Sequence, residues 1–333
     1  MTAPLAVAVG DPAGVGPELL AEAWMRRGEE GLTPFFAVGG ATLLARAATQ
    51  RGIDVPVERI ADPAEAAGIF HRALPVLGDS DTPCRPGRPD RTSAAFALAS
   101  LTGAVRLAIT GRAAAIVTGP IAKSRLAEIG FNHPGQTEFI ADACGVPTED
   151  AVMMLAGPSL RTVPLTVHMA LADVPRVLTA GLIERRSRIV AQALQRDFGL
   201  AAPRLAVAAL NPHAGEDGRF GDEEARIIAP AVAALRAGGL AVTGPHPADA
   251  LFAPHARDGY DAALCMYHDQ ALIPLKALDF DNGVNVTLGL PVIRTSPDHG
   301  TAFAIAGKRL ANPGATLAAL RMAGECAARR AAE

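Results

Sequence analysis

Short apolar runs rich in Val, Ala, Leu and Ile recur along the chain, and each precedes a turn and a stretch with helical spacing. Continuous apolar runs of this length predict strands buried on both faces, and the stretches between them predict crossover helices. The pattern therefore predicts an α/β fold with parallel strands. Strands are predicted most clearly at residues 5–9, 35–38, 114–118, 163–167, 205–210 and 262–267. Helices are predicted most clearly at residues 17–27, 92–110, 183–197, 223–237 and 315–331.

The composition is that of a large globular protein with a small-molecule partner. Half of the 333 residues are hydrophobic and 20% are charged, so the chain can bury a large core and is long enough for two lobes. The net charge is only -3, and Lys and Arg are scattered rather than gathered into a stripe. No nucleic-acid footprint is therefore expected. No linker divides the chain, so any lobes are expected to combine discontinuous segments.

Cysteine usage and the start of the chain bear on location. Four cysteines lie far apart, without paired spacing, at Cys84, Cys144, Cys265 and Cys326. This distribution predicts reduced thiols that serve as packing residues in the cytosol. Residues 1–9 carry no basic segment before their apolar run, and no stretch reaches the roughly 18 uninterrupted apolar residues of a membrane span. We expect a cytoplasmic protein with no membrane partner.

Three of the predicted strands stop at a histidine, namely His168, His213 and His268. The ligand crevice of an open α/β sheet lies outside the carboxyl ends of its strands, so these side chains can share one site. Three neutral imidazoles leave open positions on a divalent cation, which is typical of a catalytic metal site. Each histidine can instead be a hydrogen-bonded loop residue. Both interpretations stay open at this point.

Two glycine-containing turns follow predicted strands, at residues 10–18 (GDPAGVGPE) and 118–123 (TGPIAK). Glycines let the backbone approach a ligand, and the helix N-terminus after the first turn can face an anion. The glycine order is not the dinucleotide-binding fingerprint, and no acidic residue follows at the expected distance. Both turns are equally compatible with tight strand-to-helix connections.

Polar residues in two further segments suit an anionic or oxygen-rich ligand. Lys276, Asn285 and Arg294 lie in a largely apolar stretch, where a buried cation requires a partner. The partner is either an acidic side chain or a bound phosphate or carboxylate, and the acids within reach in sequence are Asp279, Asp281 and Asp298. Gln136 and Thr137 in the segment HPGQTEF can likewise bind a ligand, or Thr137 can simply begin a helix.

Taken together, these segments resemble the 4-hydroxythreonine-4-phosphate dehydrogenase family of vitamin B6 biosynthesis over essentially the full length. The six motifs, in the family's order, are residues 10–18, 118–123, 133–139 (HPGQTEF), 211–215 (NPHAG), 267–274 (YHDQALIP) and 296–307 (SPDHGTAFAIAG). The resemblance implies an isocitrate/isopropylmalate dehydrogenase-like α/β/α subunit, with a mostly parallel central sheet and the active site in a cleft between two lobes. The expected lobes are residues 1–130 plus 300–333 on the cofactor side, and 131–299 for metal, substrate and dimer contacts.

The resemblance also assigns roles to individual residues. It implies one divalent metal (Zn, Mg or Co) bound by His168, His213 and His268. The implied ligands of the phosphorylated substrate are Gln136, Thr137, Lys276, Asn285 and Arg294. NAD, with NADP as the alternative, would contact Asp298, His299, Gly300, Thr301 and Asn312. A homodimer is implied in which the partner subunit completes each active site and the third histidine reaches across, so the three histidines need not converge within one chain.

Two residues depart from the family pattern. Gln136 stands where the family usually has His, which puts a charged phosphate contact in question, although an amide still hydrogen-bonds a phosphate. Ala304 replaces an acid common in the loop that resembles the adenosine loop of the isocitrate and isopropylmalate dehydrogenases. This replacement weakens any inference of strict preference for NAD over NADP.

The implied reaction is the NAD-dependent oxidation of 4-phosphohydroxy-L-threonine to a 3-keto acid, which loses carbon dioxide to give 3-amino-2-oxopropyl phosphate. Asp249 and Asp269 are the candidate bases, and each can equally orient a ligand histidine. The enzyme alternative is a paralogue that oxidises 4-phospho-threonate or a carboxylated cis-dihydrodiol. A phosphotransacetylase-like acyltransferase would not need three histidines, and a non-enzymatic sensor would bind NAD or metal without turnover.

Overall fold

The computed structural model of the chain describes residues 3–332. Its strands are β1 (Leu5–Ala8), β2 (Phe35–Val38), β3 (Val57–Ile60), β4 (Leu74–Leu77), β5 (Ile116–Thr118), β6 (Val152–Ala156), β7 (Arg161–Pro164), β8 (Arg204–Ala208), β9 (Ala241–His246), β10 (Ala262–Cys265), β11 (Val284–Leu288) and β12 (Arg294–Pro297). Met1 and Thr2, which begin the 1–9 segment considered for targeting, lie outside the described residues, as does Glu333.

The helices alternate with the strands. The α-helices are α1 (Gly16–Met25), α2 (Ala41–Arg51), α3 (Ala66–Ile69), α4 (Arg91–Ile109), α5 (Lys123–Ala127), α6 (Gln136–Ala143), α7 (Val174–Val177), α8 (Ala180–Arg196), α9 (Ala229–Ala237), α10 (Ala248–Leu251), α11 (Pro254–Arg257), α12 (His268–Asp279) and α13 (Gly314–Arg330). Short 3-10 turns occupy Pro63–Glu65, Thr148–Asp150, Leu171–Asp173, Pro212–Gly215 and Phe280–Asn282, and a π-helical turn covers Glu224–Ile228.

The α/β fold predicted from the hydrophobic pattern is confirmed. Each strand predicted from an apolar run is present, although four of them end one to three residues before the predicted end. The five predicted helices correspond to α1, α4, α8, α9 with its preceding π-turn, and α13. Ends differ by a few residues because caps and turns, rather than side-chain periodicity, decide where an element stops.

The described chain forms two compact units, the first containing residues 3–148 and 290–332 and the second Glu149–Gly289. The first unit has a parallel sheet in the order β3-β4-β2-β1-β5-β12. Helix α4 packs on β1, and α13 packs on β12. Every residue of β1 is buried, as expected for a central strand covered on both faces.

The second unit has the strand order β11-β6-β7-β10-β8-β9. β7, β10, β8 and β9 are parallel, whereas β6 is antiparallel to both β7 and β11. Helix α12 packs on β7 and β10 through Ala271 and Leu275, which are fully buried. The carboxyl ends of three neighbouring strands therefore lie at one edge of this sheet.

The unit boundaries lie elsewhere than the resemblance implied. Residues 131–148 and 290–299 belong to the first unit, whereas the expected division placed them in the second lobe. The physical reason is contact with β5: β12 pairs with this strand, and the Gln136 side chain donates a hydrogen bond to the backbone that follows it. The pairing thus joins the HPGQTEF segment to the TGPIAK turn.

Helix α4 is, among the described residues, the one helix long and apolar enough by length and composition to cross a membrane. More than half of its most apolar window is buried within the protein, and it contacts β1, β2 and β5. A buried core helix passes the same test, so the finding is weak evidence for a membrane span.

Candidate active site

Three neighbouring parallel strands of the second unit carry the candidate metal ligands. β10 pairs with β7 on one side and with β8 on the other. Because parallel strands end at the same edge, the segments that follow them emerge together. His168 follows β7, His213 follows β8 and His268 follows β10. The predicted common edge is therefore present.

His168 and His268 line the same pocket, whose volume is about 450 Å³. Their ring centroids lie 5.9 Å apart with an interplanar angle of 41°. Met169, Leu171 and Val174 form much of the apolar wall. The pocket thus combines two imidazoles with a partly apolar surround, as small-molecule sites commonly do.

The tautomer of His268 follows from its neighbour. Its Nδ1 lies 2.7 Å from Oδ1 of Asp269. A carboxylate accepts hydrogen bonds, so Nδ1 carries the proton and Nε2 keeps the lone pair that a metal needs. This contact gives Asp269 the geometry of a residue that orients a ligand histidine.

His213 lies outside the pocket that His168 and His268 line. Its ring centroid is 6.2 Å from that of Phe220, and within residues 3–332 no group of three His, Cys, Asp or Glu is placed to hold a metal ion. His168 and His213 both have positive φ angles, 51° and 52°, which cost conformational energy and occur mainly at functional sites. The donor set fits a divalent cation at two imidazoles of one chain.

Two buried polar side chains tie the strand ends together. Gln270 accepts a hydrogen bond from the Met266 N–H at 2.6 Å and donates to the Ala209 carbonyl at 2.7 Å. Thr166 donates its hydroxyl to the Met266 carbonyl at 2.7 Å. These bonds connect the segments before His168, His213 and His268 across three strands. The edge is thus held by side chains where the ladder has ended.

The glycine-rich turns lie in the first unit and pack against each other. Asp11 N–H donates to the Pro120 carbonyl at 2.8 Å, and a Cβ on Gly10 would lie 2.5 Å from that same oxygen. Val15 N–H donates to the Thr301 carbonyl at 3.0 Å, and a Cβ on Gly14 would lie 2.7 Å from it. Gly10 and Gly14 are therefore needed for close backbone approach.

Arg294 is the most deeply buried cation of the candidate site, with 4% of its surface exposed. Its Nε and Nη2 atoms donate to Oγ1 of Thr118 at 3.2 and 2.8 Å. Burial lowers the pKa of Arg294 to about 10, opposed by the nearby Glu138 carboxylate. A buried guanidinium beside the TGPIAK turn suits bidentate binding of a phosphate or carboxylate.

Gln136 and Thr137 begin helix α6, as predicted for Thr137. Gln136 donates its Nε2 to the Gly119 carbonyl at 3.0 Å, while its Oε1 is buried without a hydrogen-bond partner. The free amide atom is therefore an acceptor, which suits a ligand hydroxyl or amino group. A Cβ on Gly135 would lie 3.3 Å from Nζ of Lys123, so a second cation lies beside this turn.

Lys276 and Asn285 belong to the second unit, on α12 and β11. Nζ of Lys276 lies 5.5 Å from the ring centroid of Phe280. Oδ1 of Asn285 is buried without a hydrogen-bond partner. Asp279, one of the acids considered for Lys276, accepts hydrogen bonds from the N–H and hydroxyl of Ser159.

The proposed cofactor segment lies between β12 and α13. Nδ1 of His299 lies 2.9 Å from the Gly300 carbonyl and must donate to it, so the neutral ring leaves Nε2 as an acceptor. That Nε2 atom is buried without a partner, and a ribose hydroxyl or an amino group would satisfy it. Asn312 lies just before the next helix, and its Oδ1 accepts a hydrogen bond from Gly314 N–H at 2.9 Å.

Two further sequence-predicted residues have plain surroundings. Asp298 directly follows β12 and is half-buried. Asp249 is exposed on α10, which contacts the turn that carries His213. Asp249 does not line the pocket that contains His168 and His268.

Comparisons with known proteins bear on this arrangement. The family model described as pyridoxal phosphate biosynthetic protein PdxA matches residues 31–323. The chain belongs to the PdxA family. It is 63% identical over 328 residues to a 4-hydroxythreonine-4-phosphate dehydrogenase of Erythrobacter litoralis, covering 98% of each chain.

Solved structures agree with the PdxA assignment. A 4-hydroxythreonine-4-phosphate dehydrogenase from Klebsiella pneumoniae is 39% identical with a TM-score of 0.88, and 98% of each chain is covered. A terephthalate 1,2-cis-dihydrodiol dehydrogenase from Burkholderia xenovorans LB400 is 31% identical with a TM-score of 0.67, again covering 98% of each chain. The family resemblance inferred from six motifs is confirmed.

Sequence reasoning gave no binding role to several side chains that hold this PdxA-family site. Thr118 and Gln270 lie inside motifs, but their hydrogen bonds join segments far apart in sequence. Glu224 lies outside the motifs, yet it is buried and accepts a hydrogen bond from the Leu210 N–H beside the NPHAG segment.

Proposed function

We propose that this chain catalyses the NAD-dependent, divalent-metal-dependent oxidation of 4-phosphohydroxy-L-threonine; its relatives' names support the dehydrogenase activity and the substrate. The product is a 3-keto acid that decarboxylates to 3-amino-2-oxopropyl phosphate in pyridoxine 5'-phosphate (vitamin B6) biosynthesis. The observation that carries the proposal is the pairing of a full-length family match with a two-imidazole pocket. The enzyme is an oxidoreductase, as its relatives are.

The metal would be held by His168, His213 and His268. When bound, a divalent cation polarises the substrate oxygen that loses its proton. The protein's part is to present neutral imidazole nitrogens, and the contact of Asp269 with Nδ1 of His268 leaves Nε2 available. Asp269 thus orients a ligand rather than removing a proton, and Asp249 stays the other candidate base. Of the candidate metals, Zn and Co suit imidazole nitrogens better than Mg, which prefers oxygen ligands.

Phosphate binding would rest on Arg294, with Lys276 as a second cation. The buried guanidinium of Arg294 is already oriented by Thr118, so little side-chain entropy is lost when an anion binds. Asn285, Gln136 and Thr137 would complete the contacts, and the unpartnered amide oxygens of Asn285 and Gln136 suit donors on the substrate. These residues position the substrate for hydride transfer.

NAD would contact residues Asp298, His299, Gly300, Thr301 and Asn312, with NADP as the alternative. The cofactor accepts the hydride when bound. The unpartnered Nε2 of His299 supplies an acceptor for a hydroxyl, and the open space beside Gly300 leaves room for a ligand. Ala304 offers no carboxylate to bind ribose hydroxyls, so the preference between the two cofactors rests on other residues.

The working assembly would be a cytoplasmic homodimer with active sites shared between subunits. The arrangement of the histidines supports this assembly, because one chain brings His168 and His268 together and His213 does not line their pocket. A second subunit can deliver the missing ligand, as the resemblance implies. Neither nucleic acid nor a membrane is a partner in this proposal.

A second function is supported by one comparison. The relative that acts on a terephthalate cis-dihydrodiol matches over the same length at lower similarity. A carboxylate would then take the place of the phosphate at Arg294, and 4-phospho-threonate is a further alternative substrate. Gln136, whose free amide atom is an acceptor, is the residue most relevant to this choice.

The test is NADH formation by the metal-loaded protein with 4-phosphohydroxy-L-threonine, 4-phospho-threonate and a dihydrodiol carboxylate in parallel. We expect turnover selective for the first substrate, abolished by a chelator and reduced at least about 100-fold in His213→Ala, because the metal supplies several kcal/mol of stabilisation. Activity confined to another substrate would transfer the protein to the second function. Binding of NAD without turnover on any substrate would refute both.

A further inference from the structure

The turn that carries His213 has an unusual backbone. Six consecutive residues have positive φ angles: His213 (52°), Ala214 (52°), Gly215 (79°), Glu216 (42°), Asp217 (56°) and Gly218 (88°). Four of them carry a Cβ atom, which is disfavoured in the left-handed region, and routinely visited left-handed positions are single residues. This conformation needs support from outside the turn.

The bonds within the turn are short-range. Glu216 N–H donates to the His213 carbonyl at 3.2 Å, and Gly218 and Phe220 both donate to the Gly215 carbonyl at 3.0 and 3.1 Å. Such bonds close the turn, but they join only residues within it. They do not fix the turn relative to β8, from which it departs.

Glu224 supplies a fixed connection to the backbone that leads into the turn. Its side chain is buried, with 6% exposure. Oε1 accepts hydrogen bonds from the N–H groups of Leu210 and Asn211, both at 2.8 Å, and Oε2 accepts from Nδ2 of Asn211 at 3.0 Å. Hydrogen bonds to an ionised acceptor are stronger than neutral ones. The π-helical turn Glu224–Ile228, continuous with α9, holds this carboxylate.

Two glycines allow the turn to pack directly on these groups. A Cβ on Gly215 would lie 2.8 Å from Oε2 of Glu224, and a Cβ on Gly221 would lie 2.4 Å from Nδ2 of Asn211. Asn211 also donates to Oε2 of Glu223 at 2.7 Å. The left-handed turn, Asn211 and Glu224 are therefore packed so closely that neither glycine position has room for a Cβ atom.

We propose that Glu224 is a positioning residue that fixes the left-handed turn and so presents His213 to the metal. The proposal rests on the proposed function in one respect, namely that His213 is a metal ligand. The observed hydrogen bonds of the Glu224 carboxylate are with Leu210 and Asn211, not with His213 itself. It acts through Leu210 and Asn211, whose N–H groups would otherwise be unpaired at the end of β8.

The experiment uses the full chain and two substitutions, Glu224→Gln and Glu224→Ala. Hydrogen exchange of the amides of residues 209–220 is measured on metal-free protein, and zinc affinity is measured by competition with a chromophoric chelator. Asp222→Asn is the matched control, because it removes a neighbouring carboxylate that bonds to the exposed Arg226 side chain. Thermal unfolding reports whether each variant folds.

We expect faster exchange confined to residues 209–220 and zinc affinity weakened about 10- to 100-fold in Glu224→Ala, as for other residues that orient metal ligands. Glu224→Gln keeps an oxygen for the two backbone N–H groups but places an amide donor opposite Nδ2 of Asn211. Its effects should be smaller and in the same direction. Asp222→Asn should match the wild type in both measurements.

Unchanged exchange, or unchanged zinc affinity, in a folded Glu224→Gln protein would overturn the proposal, and this variant decides alone if Glu224→Ala does not fold. Failure of the proposed function looks different. Zinc affinity that is the same in His213→Ala as in the wild type would remove His213 from the metal site, and with it the link from Glu224 to the metal. The exchange of residues 209–220 would then still report on the turn.

Discussion

The two candidate binding regions hold their functional residues in opposite ways. In the first unit, the glycine-rich turns touch each other through backbone atoms, and the main cation, Arg294, is buried. In the second unit, His168 and His213 are exposed and have positive φ angles. Buried polar side chains behind them hold the backbone in place through hydrogen bonds. Close backbone packing holds the first region in place, whereas the second depends on a few side-chain hydrogen bonds.

The difference has a chemical reason. Binding a phosphate or a dinucleotide requires a preformed concave surface, which close glycine contacts provide. Binding a metal requires lone pairs aimed at one point, and hydrogen bonds from neighbouring residues orient the side chains that carry them. Local strain is then tolerated because neighbouring residues such as Gln270 and Glu224 over-determine the conformation.

The largest effect that would sharpen the comparison is expected from Arg294→Lys. An ammonium lacks the planar fork that donates to Thr118 and to an anion together, so KM for the phosphorylated substrate should rise about 10- to 100-fold, on a scale of 1.5–3 kcal/mol for bonds to charged groups. The KM for NAD should change less. Steady-state kinetics decide the matter, with Arg106→Lys on the exposed face of α4 as control. Equal KM values in wild type and variant would remove Arg294 from substrate binding.

Gln270→Leu tests whether side chains order the histidine edge. The substitution leaves the Met266 N–H and the Ala209 carbonyl without their partner, so we expect a loss of about 2 kcal/mol in the free energy of unfolding. Denaturant titration measures it, and Gln192→Leu, at an exposed position of α8, is the matched control. Equal free energies of unfolding for the two variants would show that the hydrogen bonds of Gln270 do not stabilise this edge.

Gly14→Ala tests the close packing of the glycine turns. The new methyl group would meet the Thr301 carbonyl at 2.7 Å, and displacing that backbone costs about 1–3 kcal/mol. We expect NAD affinity, measured by fluorescence titration, to fall about 10-fold. Gly28→Ala is the control because nothing lies within 4 Å of its Cβ position. Retained NAD affinity in Gly14→Ala would separate this turn from the cofactor.

The smallest effect concerns His246, on β9 beside the same edge. Burial, and then the charge of Arg236, lower its pKa below 6.5 in the folded protein. The unfolded chain therefore binds a proton that the folded one does not, and stability present above pH 6.5 is lost as the pH falls through the folded pKa. Urea unfolding at pH 7.5 and 5.5 should show a smaller acid-side loss in His246→Asn than in the exposed-site control His71→Asn. Identical losses would contradict the assignment.

Much of the fold followed from the hydrophobic pattern, because buried parallel strands are continuous apolar runs and this signal is local. The common edge for His168, His213 and His268 also followed, since strand ends coincide in a parallel sheet. The unit boundaries did not, because the pairing of β12 with β5 joins residues 294 and 116, which no local signal connects. Motif resemblance supplied the family.

Details of the site were beyond sequence reasoning for a similar reason. The roles of Thr118, Gln270 and Glu224 depend on hydrogen bonds to residues that are distant in sequence or in another turn. Thr, Gln and Glu also occur often at positions without such a role, so the residue type alone does not reveal it. The left-handed turn after Asn211 contains four residues with side chains, whereas glycine is the usual sequence sign of that conformation. Its one sequence trace is the presence of Gly215 and Gly218.

The central claim is that two subunits share one metal site, and we propose His213 as the ligand from the second chain because His168 and His268 line one pocket of the first. The direct measurement is activity after mixing pairs of inactive variants under conditions that exchange subunits. Random reassociation of His213→Ala with His268→Ala should restore about a quarter of wild-type activity, because half of the dimers are mixed and each has one intact site. His168→Ala with His268→Ala should restore none. Recovery in the second mixture, or none in the first, would contradict the account.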